Sequence, residues 1–356
     1  MRVALVGPTQ SGKSTLFAAV AEAGGSHIDI HRADQAHLAV VKVPEERVLW
    51  LAELYKPKKT TLAELEFLDL PGFDLADDAG RTRAKAHWAA MRQCDMLVFV
   101  LRQFASKDVP PYRGRIDPAA DLGELLAEMV FADLEQVTNR IDKLDASLKK
   151  PTAAAKRDEQ ARELDLMKRL AAALESEKPI ATAVQGDAEA KLLKSFGFLS
   201  QKPALVALNC DEGTKQDMTE MQGLPCLALS VKIEEEIAQL APDERKDFLA
   251  DLGLTASARD RMVQACYKRL NLVSFLTCGE DECRAWTIPA GTDAVTAAGE
   301  IHSDIARGFI RAETVSFEDL KSHGDMKGAK AAGKVRLEGK NYIVKDGDVI
   351  NFRFNV

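Results

Sequence analysis

The sequence predicts an α/β protein with an open, mostly parallel sheet, a helical hairpin inserted into it and a small mixed α+β domain at the C-terminus. Short apolar runs that end in polar residues indicate the buried parallel strands. A long stretch rich in Ala, Leu, Glu, Lys and Arg interrupts them, and short strands and turns follow. The 356 residues are enough for two or three domains, each with its own core.

Apolar runs predict the strands of the parallel sheet, and they cover residues 2–6, 65–70, 96–101, 204–208 and 226–229. After the first run, apolar residues recur at helical spacing over residues 13–23. Because ligands of such sheets lie beyond the carboxyl ends of the strands, we expect the functional residues there.

The segment 117–202 is the predicted insertion, because the sheet pattern stops before it and resumes after it. Two apolar stripes, one on each side of Pro151, predict an antiparallel pair of helices. We therefore expect an α/β domain over 1–116 and 203–275, the helical domain over 117–202 and a third domain over 276–356.

In the C-terminal part, the sequence predicts a helix over 292–307 and a flexible, basic, glycine-bearing loop over 321–334. Its predicted strands cover residues 275–277, 285–288, 334–337, 342–344 and 349–354. The turn Lys345–Asp348 separates the last two.

Composition limits the classes of function. Acidic residues outnumber basic ones, 55 to 48, and the net charge of −7 argues against a protein coated in basic charge for general nucleic-acid binding. No run approaches the ~18 apolar residues of a membrane span, and the N-terminus lacks a signal-peptide core. The six cysteines form no zinc-ligand pattern. We expect a cytoplasmic monomer with free thiols and no membrane contact.

The strongest motif is Gly7–Ser14, which fits GxxxxGK followed by Ser or Thr and lies between a predicted strand and a predicted helix. The backbone amides of such a loop and the helix N-terminus bind phosphates. Lys13 is expected to reach the β and γ phosphates, and the Ser14 hydroxyl to bind Mg²⁺. The sequence therefore predicts a P-loop NTPase whose nucleotide contacts Gln10, Ser11, Gly12, Lys13, Ser14 and Thr15.

A second motif, Asp69–Gly72, ends the next predicted strand and fits the DxxG of GTPases. Asp69 would hold Mg²⁺ through water, and the Gly72 amide would meet the γ phosphate. We therefore expect a GTPase-type domain in which Lys13, Asp69 and Gly72 act in catalysis and Ser14 and Asp69 hold the metal.

The base-recognition elements follow two later strands. Asn209–Glu212 occupies the place of the GTPase NKxD element, with Cys210 instead of Lys and Glu212 instead of Asp. The longer Glu212 carboxylate is expected to weaken bidentate recognition of guanine. The segment Ser230–Lys232 matches the SAK element, so Ser230, Val231 and Lys232 join Asn209, Cys210 and Glu212 as predicted base contacts.

With these motifs the chain resembles the YchF family, also called Obg-like ATPases, within the Obg-related P-loop GTPases. The resemblance covers nearly the whole length and includes the P-loop, residues 209–212, 117–118, 285–287, 301–304, 308–313 and 346–356. It implies that the C-terminal domain is a TGS domain with a β-grasp fold. It also implies ATP preferred over or accepted with GTP, and contact with the ribosome or RNA through the helical insertion and the TGS domain.

Two positions bear on hydrolysis. Phe73 follows the DxxG motif, where Ras-type GTPases place the Gln that orients the attacking water, and the resemblance also implies a hydrophobic residue there. Ala33 falls where relatives carry the Thr of the first switch loop, and Asp34 is a possible substitute ligand of Mg²⁺. His31, His37 and His87 are possible water-positioning residues, although a surface histidine is the more common interpretation of each.

Three functions remain open from the sequence: a slow nucleoside triphosphatase, a nucleotide-dependent binding switch with negligible hydrolysis, and a small-molecule kinase. The third is disfavoured because the base-recognition elements follow in GTPase order. The departure at Ala33, together with P-loop residues 8–11, which read PTQS where relatives often read LPNV, also fits a divergent paralogue. The many cations of the hairpin alternate with acids, which favours a solvated helix face over RNA contact there.

Overall fold

A computed structural model describes residues 1–22, 36–75, 77–151, 153–214, 218–254 and 256–355. By their contacts the residues fall into two compact units. The first unit contains Met1–Ala39 with Glu66–Leu254, and the second contains Val40–Leu65 with Thr255–Val356. Among the described helices, none is both long and apolar enough to cross a membrane.

The strands are numbered in chain order. They are β1 Arg2–Val6, β2 His37–Lys42, β3 Lys59–Thr61, β4 Glu64–Asp69, β5 Met96–Arg102, β6 Ala204–Asn209, β7 Met218–Met221, β8 Leu224–Leu229, β9 Leu272–Thr277, β10 Glu282–Pro289, β11 Phe309–Ser316, β12 Arg336–Glu338 and β13 Asp348–Phe354. They form a seven-stranded sheet and a six-stranded sheet.

The helices are numbered in the same way. They are α1 Lys13–Glu22, α2 Glu46–Tyr55, α3 Asp78–Arg92, α4 Pro118–Leu148, α5 Ala154–Glu175, α6 Gly186–Lys194, α7 Val231–Gln239, α8 Pro242–Asp251, α9 Ala258–Arg269, α10 Ala294–Ile301, α11 Ser303–Arg307, α12 Phe317–Ser322 and α13 Met326–Ala331.

The seven-stranded sheet has the order β2-β4-β1-β5-β6-β8-β7. Its central strands β4, β1, β5, β6 and β8 are parallel neighbours, which confirms the predicted parallel α/β sheet. Strand β7, which the sequence did not predict, pairs antiparallel with β8 at the edge. Every residue of β5 and β6 is buried, as their unbroken apolar runs predict for strands covered on both faces.

The inserted helices form the predicted antiparallel hairpin. Helix α4 begins where the Asp117 carboxylate accepts a hydrogen bond from Ala120 N (3.0 Å), with Pro118 in the first turn. Arg140 pairs with Glu163 on α5, and nearer the turn Ser147 Oγ bonds with Gln160, so the two helices run in opposite directions. Apolar residues along both helices form a separate core cluster.

The six-stranded sheet has the order β12-β11-β13-β9-β10-β3. Strands β9 and β13 are parallel, while β10 and β11 flank them as antiparallel neighbours. Ala294, Ala297 and Ala298 of α10 pack against this sheet with Phe275 and Phe352. A helix packed on a mixed sheet with parallel central strands is the β-grasp arrangement that the resemblance implies.

Three predictions in the C-terminal part were wrong in detail. The helix over 292–307 is broken at His302, whose backbone is extended and whose imidazole accepts from Asp304 N (3.2 Å) to cap α11. The segment 321–334 is not a flexible loop, because the Asp325 carboxylate caps α13 within it. Residues 342–344 form no strand and make only an isolated bridge between Ile343 and Asp293.

The segment 40–65 belongs to the second unit, although it lies between motifs of the first. Strand β3 pairs in parallel with β10. On α2, Trp50 meets the Phe317 ring edge-on with centroids 5.4 Å apart, and Arg47 forms an ion pair with Asp346 (2.7 Å). The domain boundaries at 117, 203 and 276 stay predictions, because this division yields two units rather than three.

Candidate functional site

The loop between β1 and α1 is shaped by two glycines whose positions exclude a side chain. Gly12 has φ +86°, and a Cβ there would lie 2.2 Å from Asn209 Nδ2. A Cβ on Gly7 would lie 2.3 Å from the Val100 carbonyl oxygen. The loop therefore passes close to neighbouring strand ends and leads directly into the N-terminus of α1.

Lys13 and Asp69 form a buried ion pair beside this loop. Lys13 Nζ lies 2.5 Å from Asp69 Oδ1, and both side chains are at most 5% exposed. Burial lowers the pKa of the Lys13 ammonium, and the Asp69 carboxylate opposes this shift. The structure thus brings together two of the residues predicted to act in catalysis.

The segment that follows Asp69 is joined to the loop through the backbone. Phe73 N donates to Gly7 O (2.9 Å), and Thr9 N donates to Phe73 O (3.1 Å). A Cβ on Gly72 would lie 3.0 Å from Thr9 Cα, so the two backbones are nearly in contact. The Phe73 side chain is 1% exposed and stacks on Trp88 with ring centroids 5.3 Å apart.

A cavity of about 720 Å³ opens over the loop. Its lining includes all of the predicted phosphate contacts, Gln10–Thr15, together with Gly72. Arg83 and His87 of α3 line the same cavity. The Ser11 hydroxyl is buried and has no hydrogen-bond partner within the described residues, which leaves a polar atom available at this cavity.

A second cavity of about 680 Å³ contains every residue predicted to contact the base. Its lining includes Asn209, Cys210, Glu212, Ser230, Val231 and Lys232. Asn209 is 4% exposed; its Nδ2 donates to Ser11 O (3.2 Å), and its Oδ1 accepts from Val231 N (3.2 Å). This side chain joins the phosphate loop to the start of α7, just after β8, which is the geometry expected of the Asn in NKxD.

Two acidic residues of this cavity, Asp211 and Glu212, are engaged in contacts. The Glu212 carboxylate lies 2.5 Å from Lys232 Nζ, and this ion pair raises the pKa of Lys232. The Asp211 carboxylate accepts from Ala105 N at 3.2 Å. Cys210 Sγ donates to Leu208 O (3.4 Å), and burial raises the pKa of this thiol, so it stays protonated.

Phe104 lines both cavities and was not among the residues predicted from the sequence. Arg102, at the end of β5, lies with its guanidinium 4.3 Å from the centre of the Phe104 ring. It also donates to the carbonyl oxygens of Phe104, Val109 and Pro110 at 2.9–3.1 Å, which fixes the loop after the strand. A polar residue at the carboxyl end of a buried parallel strand was the available signal.

The residues considered for hydrolysis are placed differently. His31, Ala33 and Asp34 lie outside the described residues. His37 lies near Phe17, with ring centroids 6.5 Å apart. His87 is the one that the structure places at the phosphate-loop cavity, with its ring edge-on to Phe73 at 5.7 Å.

The donor set at the cavity suits Mg²⁺. Ser14 and Lys13 line the cavity, and the Asp69 carboxylate accepts a hydrogen bond from Lys13. Mg²⁺ commonly uses one or two protein oxygens together with substrate phosphates and water, so a hydroxyl and a carboxylate suffice. Within the described residues there is no cluster of three or more His, Cys, Asp or Glu side chains that could hold a metal.

Two family profiles match the chain. Residues 272–355 match the C-terminal domain of the YchF GTPases, described as a protein of unknown function. Residues 2–133 match a family described as 50S ribosome-binding GTPase.

Curated relatives match over the full length. The chain is 37% identical over 365 residues to the ribosome-binding ATPase YchF of Bacillus subtilis, with 99% of this chain and 98% of that protein covered. It is 34% identical over 371 residues to Obg-like ATPase 1 of Oryza sativa subsp. japonica, with 100% and 92% covered. The structure of the Schizosaccharomyces pombe YchF GTPase matches with a TM-score of 0.83 at 27% identity, covering 99% of this chain and 97% of that one.

Proposed function

The chain belongs to the YchF family, and we propose that it binds ATP with Mg²⁺ and hydrolyses it slowly as a ribosome-associated protein of the cytoplasm. The observation that carries this proposal is the Asn209 side chain, which joins a phosphate-loop cavity to a base cavity. Two cavities held together in this way suit the triphosphate and the base of one nucleotide.

The phosphates would be bound by the loop that precedes α1. Its amides and the helix N-terminus favour anions, and Lys13 supplies the positive charge for the β and γ phosphates. Ser14 and Asp69 would hold Mg²⁺, which neutralises charge on the phosphates when bound. Lys13 would exchange its bond to Asp69 for one to phosphate, so Asp69 becomes available as the triphosphate enters.

The Gly72 amide would meet the γ phosphate, because the Gly72 backbone already lies against Thr9 of the phosphate loop. The hydrogen bonds of Phe73 with Gly7 and Thr9 hold it there. Hydrolysis is proposed to be slow because the Phe73 side chain is buried and offers no polar atom to a water molecule.

At the base cavity, the Glu212–Lys232 ion pair supports ATP over GTP. A carboxylate that is bound to a lysine is less available to accept the N1 and N2 protons of guanine. Adenine does not offer this pair of donors, so it does not lose the interaction. GTP is proposed as an accepted but less favoured substrate.

Association with the ribosome is supported by the relatives that are named ribosome-binding ATPases. We propose contact through the helical insertion 117–202 and the C-terminal TGS-type domain 276–356, with the chain acting as a monomer. Cosedimentation with ribosomes in the presence of a non-hydrolysable ATP analogue tests this association. A chain that stays in the supernatant at low salt would contradict it.

Single-turnover release of phosphate from ATP tests the enzymatic part. Lys13→Ala is expected to reduce release by about 100-fold or more, because it removes a charge that stabilises the transferring phosphoryl group. Lys85→Ala is the matched control, since Lys85 pairs with Glu135 outside the cavity lining and its loss leaves the rate unchanged. A wild-type rate no higher than that of Lys13→Ala would refute hydrolysis.

The alternative is a nucleotide-dependent binding switch with negligible hydrolysis, which the buried Phe73 favours. Calorimetric titration with non-hydrolysable ATP and GTP analogues, with and without Mg²⁺, measures binding independently of turnover. Tight binding of an analogue without phosphate release above the Lys13→Ala level would establish the switch and exclude the enzyme.

A further inference from the structure

Phe73, which follows the DxxG motif, has no polar atom that could position the attacking water. The Phe73 ring stacks on Trp88 and meets His87 edge-on, and the Phe73 backbone is hydrogen-bonded to the phosphate loop. A rotation that freed the ring would still present only carbon atoms. If the chain hydrolyses ATP, another side chain at the same cavity must hold the attacking water.

Helix α3 presents one face to this cavity. Gly80, Arg83, Ala84 and His87 all line it, and their spacing of three and four residues places them on one side of the helix. The helix begins where the Asp77 carboxylate accepts from Gly80 N (2.7 Å). A Cβ on Gly80 would lie 2.0 Å from Asp74 O, so the first turn is held directly against the segment after Gly72.

Arg83 differs from the other cations of α3. Arg81 pairs with Glu128 (3.5 Å), Lys85 with Glu135 (3.2 Å) and Arg92 with Asp133 (2.6 Å). In the part of the chain that the structure describes, Arg83 has no ion pair or hydrogen bond, although it lies at the phosphate cavity. An unpaired arginine at a triphosphate cavity suits a phosphoryl oxygen, which it can bind through two N–H groups.

His87 is similarly available, four residues further along the same face. It is partly buried, and among the described residues no group hydrogen-bonds to either of its ring nitrogens. Its ring is edge-on to Phe73, the residue at the position where a water-positioning side chain is missing. An imidazole nitrogen can accept a hydrogen bond from water, whereas the Phe73 ring cannot.

We propose that Arg83 and His87 are catalytic residues for ATP hydrolysis, with His87 holding the attacking water and Arg83 contacting the γ-phosphoryl group. The inference rests on the proposed ATPase function. It adds the two side chains that complete a site whose DxxG segment supplies no water-positioning group.

The reaction balances as follows. The water oxygen forms a bond to the γ phosphorus, and the bond from that phosphorus to the bridging oxygen breaks. The electron pair of the broken bond stays on ADP, and one proton of the water passes to His87 and then to solvent. Arg83 stabilises the charge on the γ-phosphoryl oxygens and on the leaving oxygen without itself gaining or losing a proton.

The electrostatic surroundings of His87 are suited to this task. Burial, and then the positive charge of Lys13, lower the pKa of the imidazole below its usual range. The charged groups that line the cavity with it are Lys13, Asp74 and Arg83. Two of these are cations that disfavour the imidazolium and one is a carboxylate that favours it. His87 is therefore neutral near pH 7 and able to accept a proton.

Single-turnover hydrolysis at saturating ATP, measured beside analogue affinity, tests the proposal. His87→Ala and Arg83→Ala are each expected to reduce the rate about 100-fold, while the dissociation constant of a non-hydrolysable ATP analogue changes by about threefold or less. Arg81→Ala is the matched control on another face of α3 and keeps the wild-type rate. His87→Ala and Arg83→Ala should also bind ADP with aluminium fluoride more weakly than the wild type, because this complex mimics the transferring phosphoryl group. Their affinity for ADP alone should be unchanged.

The conservative variants and the pH profile separate catalysis from structure. His87→Gln keeps part of the activity, because a Gln can orient water, and Arg83→Lys keeps only a small part. In the wild type, kcat/KM falls at acidic pH as His87 becomes protonated, with a midpoint below the ordinary histidine range because the pKa of His87 is lowered. This acid limb disappears in His87→Gln.

The outcomes are distinct. Wild-type rates in His87→Ala and Arg83→Ala would overturn this inference and leave the ATPase proposal intact. Equal losses of analogue affinity and rate would assign both residues to binding instead of catalysis and would also overturn it. A wild-type rate no higher than that of Lys13→Ala would overturn the proposed function and this inference together.

Discussion

At the scale of single residues, the site depends on side chains that connect neighbouring segments. Asn209 joins the phosphate loop to the start of α7, and the Lys13–Asp69 pair joins that loop to the end of β4. Both contacts are buried, so the low dielectric strengthens them and a lost partner costs more than at the surface. Polar contacts with neighbouring segments therefore fix the position of the phosphate loop.

Glu212 offers a test of base choice at this scale. Glu212→Asp shortens the side chain by one methylene and separates the carboxylate from Lys232, to which it is bound at 2.5 Å. We expect GTP affinity relative to ATP to rise by roughly tenfold, as a charge-assisted hydrogen bond to guanine is gained. Calorimetry with both analogues measures the ratio.

Glu220→Asp, on the exposed edge strand β7, is the control for a general effect of the same substitution. An unchanged affinity ratio in Glu212→Asp would show that this carboxylate does not determine the base.

At the scale of elements, buried Asp133 joins α4 to its neighbours. Its carboxylate is fully buried and accepts hydrogen bonds from Arg92 on α3 (2.6 Å), from Leu199 N (3.0 Å) and from Ser200 N and Oγ (both 2.8 Å). These bonds link the inserted hairpin to the helix that lines the phosphate cavity and to the turn that leads back into β6.

Replacing Asp133 should destabilise the first unit strongly. Asp133→Ala removes the carboxylate that pairs with Arg92 and that accepts hydrogen bonds from two backbone amides, and we expect the free energy of unfolding to fall by about 3–5 kcal/mol. Urea titration followed by circular dichroism measures the change.

Asp142→Ala, at an exposed position of the same helix, should stay within about 0.5 kcal/mol of the wild type. Equal stability of the two variants would show that the buried carboxylate contributes nothing.

The sequence predicted the structure correctly where a single local pattern determines it. Apolar runs predicted the parallel strands β1, β4, β5, β6 and β8, and the P-loop motif predicted the position of the phosphate cavity. It failed at His302, because an extended residue that caps the next helix leaves the apolar spacing of a longer helix unchanged. Phe104 and Arg83 were missed because their relevance depends on which segments the tertiary fold brings to one cavity.

At the scale of the whole molecule, each unit is assembled from two separated stretches of sequence. Residues 40–65 contribute a helix and an edge strand to the unit that contains the β-grasp sheet. Val48 and Leu51 of that helix are fully buried there. The C-terminal region is thus complete only with a segment encoded between the phosphate loop and the DxxG motif.

Truncation tests this dependence. A chain that ends at residue 271 lacks β10 and Phe317, so Trp50 and the buried face of α2 lose their partners. We expect this chain to aggregate and to bind a hydrophobic dye. A matched variant that also replaces residues 43–63 with a glycine- and serine-rich linker keeps β2 and β4 and should stay soluble. Equal solubility of the two truncated chains would contradict the assignment.

The divided second unit has a consequence for synthesis. The Thr61 hydroxyl donates to the Glu282 carboxylate, a residue 221 positions later in the chain. At about 5–20 residues per second, strand β3 leaves the ribosome roughly 10–45 s before its partner β10. During that interval the nascent chain carries an unpaired strand β3 and a helix α2 whose buried face lacks its partners. This unit can therefore complete its folding only after β9 to β13 have been translated.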